Sequence, residues 1–420
     1  MYDAIVLGSG VVGINTAYWL ANAGLKTLVV DRQPQAGNET SYANGGQISV
    51  SFAEPWAHPA TIRKALGWML QKNAPLLITP QWDAKQWRWL FAFVLQSMPW
   101  LYKHNVSQLV QLGLYSRRLL KRLQRQHALE YEPLEQGILQ FYRDHKSFDQ
   151  AKHSTALMRQ LGCERKIISA QQAISLEPCL QNVSQLVGGA YTQYDGSGDA
   201  HAFCLSMTQV CKQLGVDFIF DANIKALHQE QRCVHIELEH DGQSDIITAP
   251  NIAMCCGWQS AQLLDSLGIH INLYPVKGYS VTLDMQQPHL ANNVSLTDDK
   301  NKVVYSRLGN QLRIAGTAEI GSQDLTIDER RCEHMIKLAK QLLPEVGGYS
   351  SSQYWCGLRP MTPSNVPIIS HTQYPNLWIN TGHGSLGWTL GCGSGRVLAD
   401  LITHKKTPFP SEVLTGFQYA

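Results

Sequence analysis

A glycine-rich loop near the start of the chain has the residue types and spacing that suit a pyrophosphate site. Its glycines form a G-x-G-x-x-G pattern, and the loop consists of Gly8, Ser9, Gly10, Val11, Val12 and Gly13. Gly8 permits a tight turn, Gly10 lets the backbone approach the phosphates, and Gly13 allows close packing of the following helix. Free N–H groups at the start of that helix would face the negative charge. The loop therefore predicts a dinucleotide-binding site.

An acidic residue follows this loop at a spacing typical of dinucleotide sites. Asp31 stands eighteen residues after Gly13, at the end of the next apolar run. Its carboxylate could accept hydrogen bonds from ribose hydroxyls, although a solvated acid at a strand end is the alternative. Arg32 beside it could instead meet a phosphate. Both residues are candidates for cofactor binding.

A polar loop beyond the second apolar run bears on which dinucleotide is bound, since the glycine motif does not separate NAD from FAD. Small, hydroxyl and amide residues dominate positions 39–47, and the candidates among them are Ser41, Asn44, Gly45, Gly46 and Gln47. An NAD domain would normally continue with regular helix and strand, whereas this loop offers hydroxyls and N–H groups to a longer cofactor. An ordinary polar loop is the alternative.

Two later segments carry further glycine-rich turns. Gly257 follows an apolar run and could approach the cofactor, although a packing glycine explains it almost equally well. The other segment is denser in glycine than packing requires, and its candidates are Gly384, Ser385, Leu386, Gly387, Trp388 and Thr389. A helix that begins there would present N–H groups to the pyrimidine end of a flavin, which carries partial negative charge when reduced.

Hydrophobic periodicity predicts the elements that must position these residues. Apolar runs at Ala4–Leu7 and Thr27–Val30, with the glycine loop and helical spacing between them, predict a β-turn-α-β unit. Long helical segments broken by prolines occupy 59–123, and alternating strands dominate 216–249 and 274–317. Strand, glycine turn and helix return at 377–402. The pattern predicts an α/β fold that returns to its first domain at the end.

Composition and charge limit the class of protein. The chain has 420 residues, of which 44% are hydrophobic and 16% charged, which predicts a globular protein larger than one small domain. Its net charge of +2 provides no basic field that would recruit nucleic acid. The ten cysteines form no C-x-x-C pair, which argues against a structural metal and favours reduced thiols in a cytosolic protein. We expect no signal peptide, because no basic segment precedes the first apolar run.

Longer stretches of the sequence resemble one family. LGSGVVG with VVDR, ETSYANGGQIS, YPVKGYS, CGLRPMTP and NLWINTGHGSLGWTLGCGSG follow one another from the first apolar run to residue 395. In content and order they resemble the D-amino acid oxidase superfamily of FAD enzymes, and most closely its bacterial D-amino acid dehydrogenase branch of the small-subunit type. The cofactor motifs belong to the whole superfamily, while ANGGQIS, KGYS and GHGSLGWT are typical of the dehydrogenase branch.

The resemblance implies two discontinuous domains with FAD at their junction. A Rossmann-like FAD-binding domain would comprise 1–55, 150–270 and 350–420. A substrate-binding domain, an antiparallel sheet with inserted helices, would comprise 56–149 and 271–349.

The resemblance also implies a reaction. The family oxidises D-amino acids by hydride transfer from Cα to flavin N5, and water converts the imino acids to 2-oxo acids and ammonia. Electrons would pass to a respiratory acceptor such as a quinone. Two alternatives stay open: an amine oxidoreductase acting on glycine, sarcosine or a D-proline derivative, and a flavin-bearing subunit of a hetero-oligomeric dehydrogenase.

Three residues are the candidates for catalysis or substrate contact under this resemblance. Arg359 matches the arginine of the G-x-R-P motif that binds the substrate carboxylate in related oxidases, and a planar guanidinium suits that bidentate role. Tyr279 in KGYS could reach the carboxylate or shape the side-chain pocket, and an aromatic residue on a half-buried strand is its alternative. His383 could tune the flavin or touch the substrate, and a structural histidine is its alternative.

The most apolar stretch of the chain is a candidate membrane contact. It covers 87–101, begins at Trp87, ends at Leu101 and contains Pro99. It is too short to span a bilayer, but tryptophan and nearby basic residues suit a membrane surface; a buried core helix is the alternative. Because the family's dehydrogenases associate with the inner face of the inner membrane, the resemblance implies a cytoplasmic, peripheral location.

Overall fold

The computed structural model describes residues 1–58, 75–231, 233–321, 323–410 and 416–417. In chain order the strands are β1 Ala4–Leu7, β2 Thr27–Val30, β3 Gln47–Ile48, β4 Leu76–Ile78, β5 Ile138–Tyr142, β6 Arg165–Ser169, β7 Gly188–Thr192, β8 Gly196–Ser197, β9 Asp217–Ile219, β10 Asn223–Glu230, β11 Cys233–His240, β12 Gln243–Ile247, β13 Asn251–Met254, β14 Tyr274–Asp284, β15 Ser295–Asp298, β16 Val303–Leu308, β17 Gln311–Ile320, β18 Gln353–Met361, β19 Ile368–His371 and β20 Leu377–Thr381. The α-helices are α1 Val11–Asn22, α2 Ala84–Gln96, α3 Pro99–His127, α4 His145–Gln160, α5 Ala170–Leu176, α6 Ala200–Gln213, α7 Ser260–Asp265, α8 Glu329–Leu342 and α9 Gly387–Ile402.

The glycine loop belongs to a six-stranded sheet that is assembled from distant parts of the chain. Its strand order is β19-β20-β13-β1-β2-β9, with β19 antiparallel to β20 and the remaining neighbours parallel. Ala4 and Val6 of β1 pack with α1, α6 and α9, whereas Ile5 and Leu7 pack under the sheet β10-β11-β12. Because both faces are covered, β1 is apolar throughout. The predicted β-turn-α-β unit is confirmed.

A larger and mostly antiparallel sheet forms the second half of the fold. Its order is β18-β14-β17-β16-β15-β5-β7-β6, and β4 pairs with β17 outside this path. The β15–β5 and β17–β4 pairs are parallel. One face packs against α8, where Val281 and Leu283 meet Cys332 and Met335. The prediction of an α/β fold with a Rossmann-like sheet and an antiparallel sheet is confirmed.

Sheet membership differs from the predicted domain ranges at three strands. β6 and β7 lie within 150–270 and β18 within 350–420, ranges that the resemblance assigns to the FAD-binding domain. Their hydrogen bonds nevertheless join them to the larger sheet, because the chain crosses between the sheets more often than the motifs indicate. The division into two domains stays a prediction.

The predicted helical region 59–123 contains α2 and most of α3, which ends at His127, together with the short strand β4. Its part 59–74 lies outside the described residues. α2 begins after Asp83, whose side chain accepts a hydrogen bond from the Lys85 N–H. α3 begins at Pro99, which needs no N–H partner at a helix start. Among the helices within the described ranges, none has the length and apolarity needed to cross a membrane.

Candidate functional site

A cavity of about 740 Å³ lies between the two large sheets. The start of α1, a loop after β2, the strands β14, β17 and β18 and the start of α9 form much of its wall. Of the predicted site residues, the wall contains Val11, Ser41, Asn44, Gly45, Gly46, Gln47, Tyr279, Arg359, Gly384, Ser385, Leu386, Gly387, Trp388 and Thr389. The predicted residues outside the wall are Gly8, Ser9, Gly10, Val12, Gly13, Asp31, Arg32, Gly257 and His383.

The glycine loop connects β1 to α1 through backbone contacts that leave no room for side chains. Gly8 has φ +96°, and a Cβ there would lie 2.7 Å from the Cys255 carbonyl oxygen. A Cβ on Gly13 would lie 1.9 Å from the Gly8 carbonyl oxygen. The N-cap residue of α1 is Gly10, which has no side chain, and the first turn of the helix has no acidic residue. Its N–H groups are therefore suited to an anion.

Asp31 and Arg32 lie beside this loop with different partners. Asp31 accepts hydrogen bonds from Ser9 N at 2.5 Å, Ser9 Oγ at 2.6 Å and Gln33 N at 2.8 Å. Burial raises the pKa of the Asp31 carboxyl above its usual value, while these hydrogen bonds oppose the rise. Arg32 Nε contacts Glu39 Oε1 at 2.5 Å. Asp31 thus fixes the shape of the glycine loop, and the Arg32 charge is compensated, which weakens its case as a phosphate contact.

The polar loop at 40–47 is fixed to the larger sheet through its own carbonyl groups. Ser280 Oγ donates to the Ala43 carbonyl at 2.6 Å, and Ser306 Oγ donates to the Gly45 carbonyl at 2.7 Å. Arg313 Nη1 donates to the carbonyl between them at 3.0 Å. These hydrogen bonds hold the loop in a defined conformation within the cavity wall, unlike an ordinary polar loop on the surface.

The later glycine-rich turns occupy two different places. α9 begins at Gly387 inside the cavity wall, where Trp388 Nε1 donates to the Gly198 carbonyl at 3.1 Å. Ser49 N donates to Thr389 Oγ1 at 3.0 Å, which ties α9 to the polar loop side of the cavity. Gly257 lies outside the wall, and a Cβ there would meet open space, so its requirement is the positive φ of +55°.

Two glycines that face each other across β14 and β18 form the floor of the cavity. Gly278 pairs with Gly357, and a Cβ on Gly278 would lie 2.2 Å from Cζ of Arg359. A Cβ on Gly357 would lie 2.3 Å from the Trp355 ring. The Trp56 ring centroid is 5.9 Å from Arg359 Cζ. The glycine pair thus lets a guanidinium and an indole lie flat on the sheet.

Arg359 brings an uncompensated positive charge to this cavity. Within the described residues it has no acidic partner, and its Nη1 donates to the Thr317 carbonyl at 3.2 Å. Burial lowers the pKa of Arg359 to about 10, so it remains charged at neutral pH. Arg165 in the same wall is paired with Glu54 at 3.0 Å and also donates to Tyr142. Arg359 is therefore placed to bind an anionic group that enters the cavity.

Tyr279 belongs to the cavity wall, but its side chain is engaged on the other face of the sheet, so its role as a substrate contact stays a prediction. Its hydroxyl donates to Glu319 Oε2 at 3.0 Å, and its ring packs in the core that includes Val281 and Met335. Side chains alternate along a strand, so Tyr279 and Gly278 face opposite sides of β14. Because the Arg359 guanidinium covers Gly278, the phenol lies on the far face of the sheet.

His383 has the environment of a structural histidine. It is buried, and its Nε2 lies 2.8 Å from Ser394 Oγ in α9. Burial lowers the pKa of His383 from its usual value near 6.5 to about 3. The imidazole is therefore neutral at physiological pH, and it lies outside the cavity wall. The structural alternative is the one that these contacts favour.

Comparison with known proteins assigns the chain to a family. The model of the DAO family, described as FAD dependent oxidoreductase, matches residues 3–401. The chain belongs to this family.

Curated relatives and solved structures extend this result. The D-amino acid dehydrogenase of Dechloromonas aromatica (strain RCB) is 43% identical over 405 residues, which is 96% of this chain and 97% of the relative. The D-amino acid dehydrogenase of Vibrio cholerae serotype O1 (strain M66-2) is 40% identical and covers 100% of this chain and 99% of the relative. The glycine oxidase structure from Geobacillus kaustophilus matches with a TM-score of 0.77 at 19% identity, covering 100% of this chain and 98% of that one. That structural likeness confirms the fold of an FAD dependent oxidoreductase.

The residues present fit the FAD that the family uses. Ser41 Oγ accepts from the first helical N–H, that of Val11, at 3.1 Å. The rest of the first turn of α1 has no acidic residue, and with the close glycine contacts it suits a pyrophosphate. From Val11 the cavity continues past Gly45 to Arg359, which provides room for a flavin ring next to a substrate. The individual cofactor contacts stay predictions.

His383 gives the first testable prediction, which concerns stability against pH. Below pH 6.5 His383 becomes protonated in the unfolded chain. In the folded chain it stays neutral down to about pH 3, because burial lowers its pKa. Stability is therefore lost as the pH falls from 6.5, at up to about 1.4 kcal/mol per pH unit. We expect wild type to lose about 2 kcal/mol more of its unfolding free energy between pH 6.5 and 5 than the His383→Gln variant does. Urea unfolding of both proteins at both pH values measures the difference. Equal losses of unfolding free energy in wild type and variant would contradict a neutral, buried His383.

Sequence reasoning missed several residues of the cavity wall. Trp56 follows the polar loop without a motif, and Arg165 and Glu54 are more than a hundred residues apart in the sequence. Thr317, whose carbonyl accepts from Arg359, stands in no motif of the sequence. Gly278 does carry a signal, since it stands in the KGYS motif directly before Tyr279.

Proposed function

We propose that this chain is an FAD-dependent D-amino acid dehydrogenase that converts D-amino acids to 2-oxo acids and ammonia. The observation that carries the proposal is the Arg359 guanidinium on the cavity floor, which has no acidic partner among the residues that the structure describes. The names of the 43% and 40% identical relatives support the same substrate class. Bound FAD would accept the two electrons that oxidation of the Cα–N bond releases.

Arg359 would bind the substrate carboxylate. A guanidinium offers parallel N–H groups that match the two carboxylate oxygens, so one contact fixes both position and orientation. The floor beneath it is rigid because Gly278 and Gly357 lie in paired strands. Trp56 and Trp355 border the same space and reduce its access to water, which strengthens the ionic contact. The substrate Cα would thereby be held at one place in the cavity.

The test is an anaerobic absorbance titration of the holoenzyme with D-alanine and separately with L-alanine. We expect the flavin band to bleach with the D-enantiomer only. Bleaching by glycine or sarcosine but not by D-alanine would overturn the proposal in favour of a secondary-amine or glycine enzyme. The chain purified without partners should also oxidise D-alanine with an artificial electron acceptor. If the isolated chain is inactive in this assay, it is instead a subunit of a hetero-oligomer.

We also propose a respiratory quinone as the electron acceptor and a peripheral contact with the inner face of the inner membrane. α2 supports the contact because its two faces are both apolar. Trp89 and Phe93 are buried in the core, whereas Trp87, Phe91 and Val94 are exposed. Nearby exposed apolar residues continue the patch: Trp82, Leu95, Met98 and Trp100. Such a patch suits the apolar part of a bilayer surface.

A vesicle experiment tests the membrane contact. We expect Phe91→Glu with Trp100→Glu to reduce cosedimentation with phosphatidylcholine–phosphatidylglycerol vesicles by at least about tenfold, because two exposed aromatic side chains that would enter the bilayer surface are lost. Ile246→Glu is the matched control, since Ile246 is 68% exposed, close to the 69% of Phe91 and 67% of Trp100, but lies in the three-stranded sheet. Equal cosedimentation of wild type and the double variant would reject the contact.

A further inference from the structure

A β-bulge interrupts the larger sheet next to Arg359. Gly278 of β14 pairs with Ala318, but the next residue, Tyr279, pairs with Gly316. Thr317 is therefore the extra residue on β17, and the β16 and β4 ladders stop at the residues on either side of it. Bulges often occur beside active sites, where they redirect a backbone or side-chain group.

The bulge places Thr317 in a backbone conformation that is unfavourable for its residue type. Its φ is +56°, in the left-handed region that glycine and asparagine occupy at lower cost. A β-branched residue is a clear outlier there. Such outliers persist where the surrounding structure imposes them, and they cluster at functional sites. A threonine at this strained position therefore indicates a function for its side chain.

Both polar groups of Thr317 point to a role at the cavity. Its carbonyl accepts the hydrogen bond from Arg359 Nη1, and the residue lines the cavity wall. Its hydroxyl is buried and has no hydrogen-bond partner in the described chain. Thr40 in the same wall differs in this respect, because its hydroxyl donates to the Leu358 carbonyl at 2.8 Å. A buried hydroxyl without a partner is unusual in a folded protein.

We propose that Thr317 is a substrate-binding residue whose hydroxyl donates a hydrogen bond to the carboxylate that Arg359 holds. This inference rests on the proposed function, in which Arg359 binds that carboxylate. Rotation about the Cα–Cβ bond carries the hydroxyl among three staggered positions, and the proposed contact uses the position that faces the cavity. The bulge then has two effects: its carbonyl orients the guanidinium, and its side chain completes the carboxylate site.

The test uses holoenzyme carrying Thr317→Val, which keeps the shape and β-branching but removes the hydroxyl. The probe is propionate, which has a carboxylate but no amino group, and its Kd is measured by calorimetry. We expect the Kd for propionate and the KM for D-alanine each to rise about 5- to 10-fold, with unchanged flavin content. Thr317→Ser should bring both values back toward wild type.

Three outcomes would overturn the inference. Unchanged propionate Kd and unchanged KM would show that the hydroxyl makes no contact with the ligand. A raised KM with an unchanged propionate Kd would place the hydroxyl away from the carboxylate. If Thr317→Val does not retain flavin, the comparison passes to Thr317→Ser and Thr317→Ala, which differ from each other by the hydroxyl alone. Equal propionate affinities of these two variants would refute the inference. Because propionate binding needs no turnover, failure of D-alanine oxidation in wild type would count against the proposed function separately.

Discussion

Replacing Arg359 with leucine should lower kcat/KM for D-alanine by about 10³-fold while leaving the FAD content of the purified protein unchanged. Two charge-assisted hydrogen bonds to a carboxylate are worth about 1.5 to 3 kcal/mol each, and each 1.36 kcal/mol is a factor of ten in rate. Arg359→Lys keeps the charge but loses the parallel N–H pair, so its loss should be intermediate. Steady-state kinetics with an artificial acceptor measures both.

Stability should respond differently from activity in the same variant. Burial already lowers the pKa of Arg359, and within the described residues no carboxylate compensates its charge. Leucine removes a desolvated charge, so the free energy of unfolding should not fall. Tyr279→Phe is the control, because its hydroxyl bonds Glu319 on the opposite face and its KM should stay within about twofold. Wild-type kinetics in Arg359→Leu would remove this residue from the site.

Replacing Gly13 with alanine should weaken FAD binding by at least about 100-fold, equivalent to about 2.7 kcal/mol. The new Cβ would lie 1.9 Å from the Gly8 carbonyl oxygen, and that atom belongs to the backbone, so the loop or α1 must shift. The shift would move the helix N–H groups away from the pyrophosphate. Flavin absorbance per polypeptide after purification and the Kd of the apoprotein for FAD measure the loss.

The control for Gly13→Ala lies on the same helix. Ala21→Gly lowers the stability of α1 by about 0.5 to 1 kcal/mol but does not touch the glycine loop, so its FAD content should match wild type. Stoichiometric FAD in Gly13→Ala would show that the loop tolerates the methyl group and that the close contact is not required.

The parts of the fold that were predictable from the sequence are those set by local pattern. β1, the glycine loop, α1 and β2 follow each other within one short unit, so buried runs and glycine spacing were sufficient. The arginine of the G-x-R-P motif was also found, and the cavity contains it. In these cases the residues that decide the structure are close together in the chain.

The remaining features depend on which strands pair and in which register. The KGYS motif predicts a role for Tyr279, whereas Gly278, one residue earlier, faces Arg359, because a motif does not state which side of a sheet a residue occupies. The compensation of Arg165 by Glu54 joins distant segments. The membership of β6, β7 and β18 in the larger sheet has the same origin. Long-range pairing leaves no local pattern.

The order of strands in the six-stranded sheet has a consequence for biosynthesis. β1, which leads into the glycine loop, pairs with β13, and β13 in turn needs β20 at 377–381 as its outer neighbour. A ribosome must therefore translate most of the message before this sheet can close, and pairing over such separations is slow. Prosthetic-group loading is accordingly a late event, and a nascent polypeptide that stops short of β20 should emerge without colour.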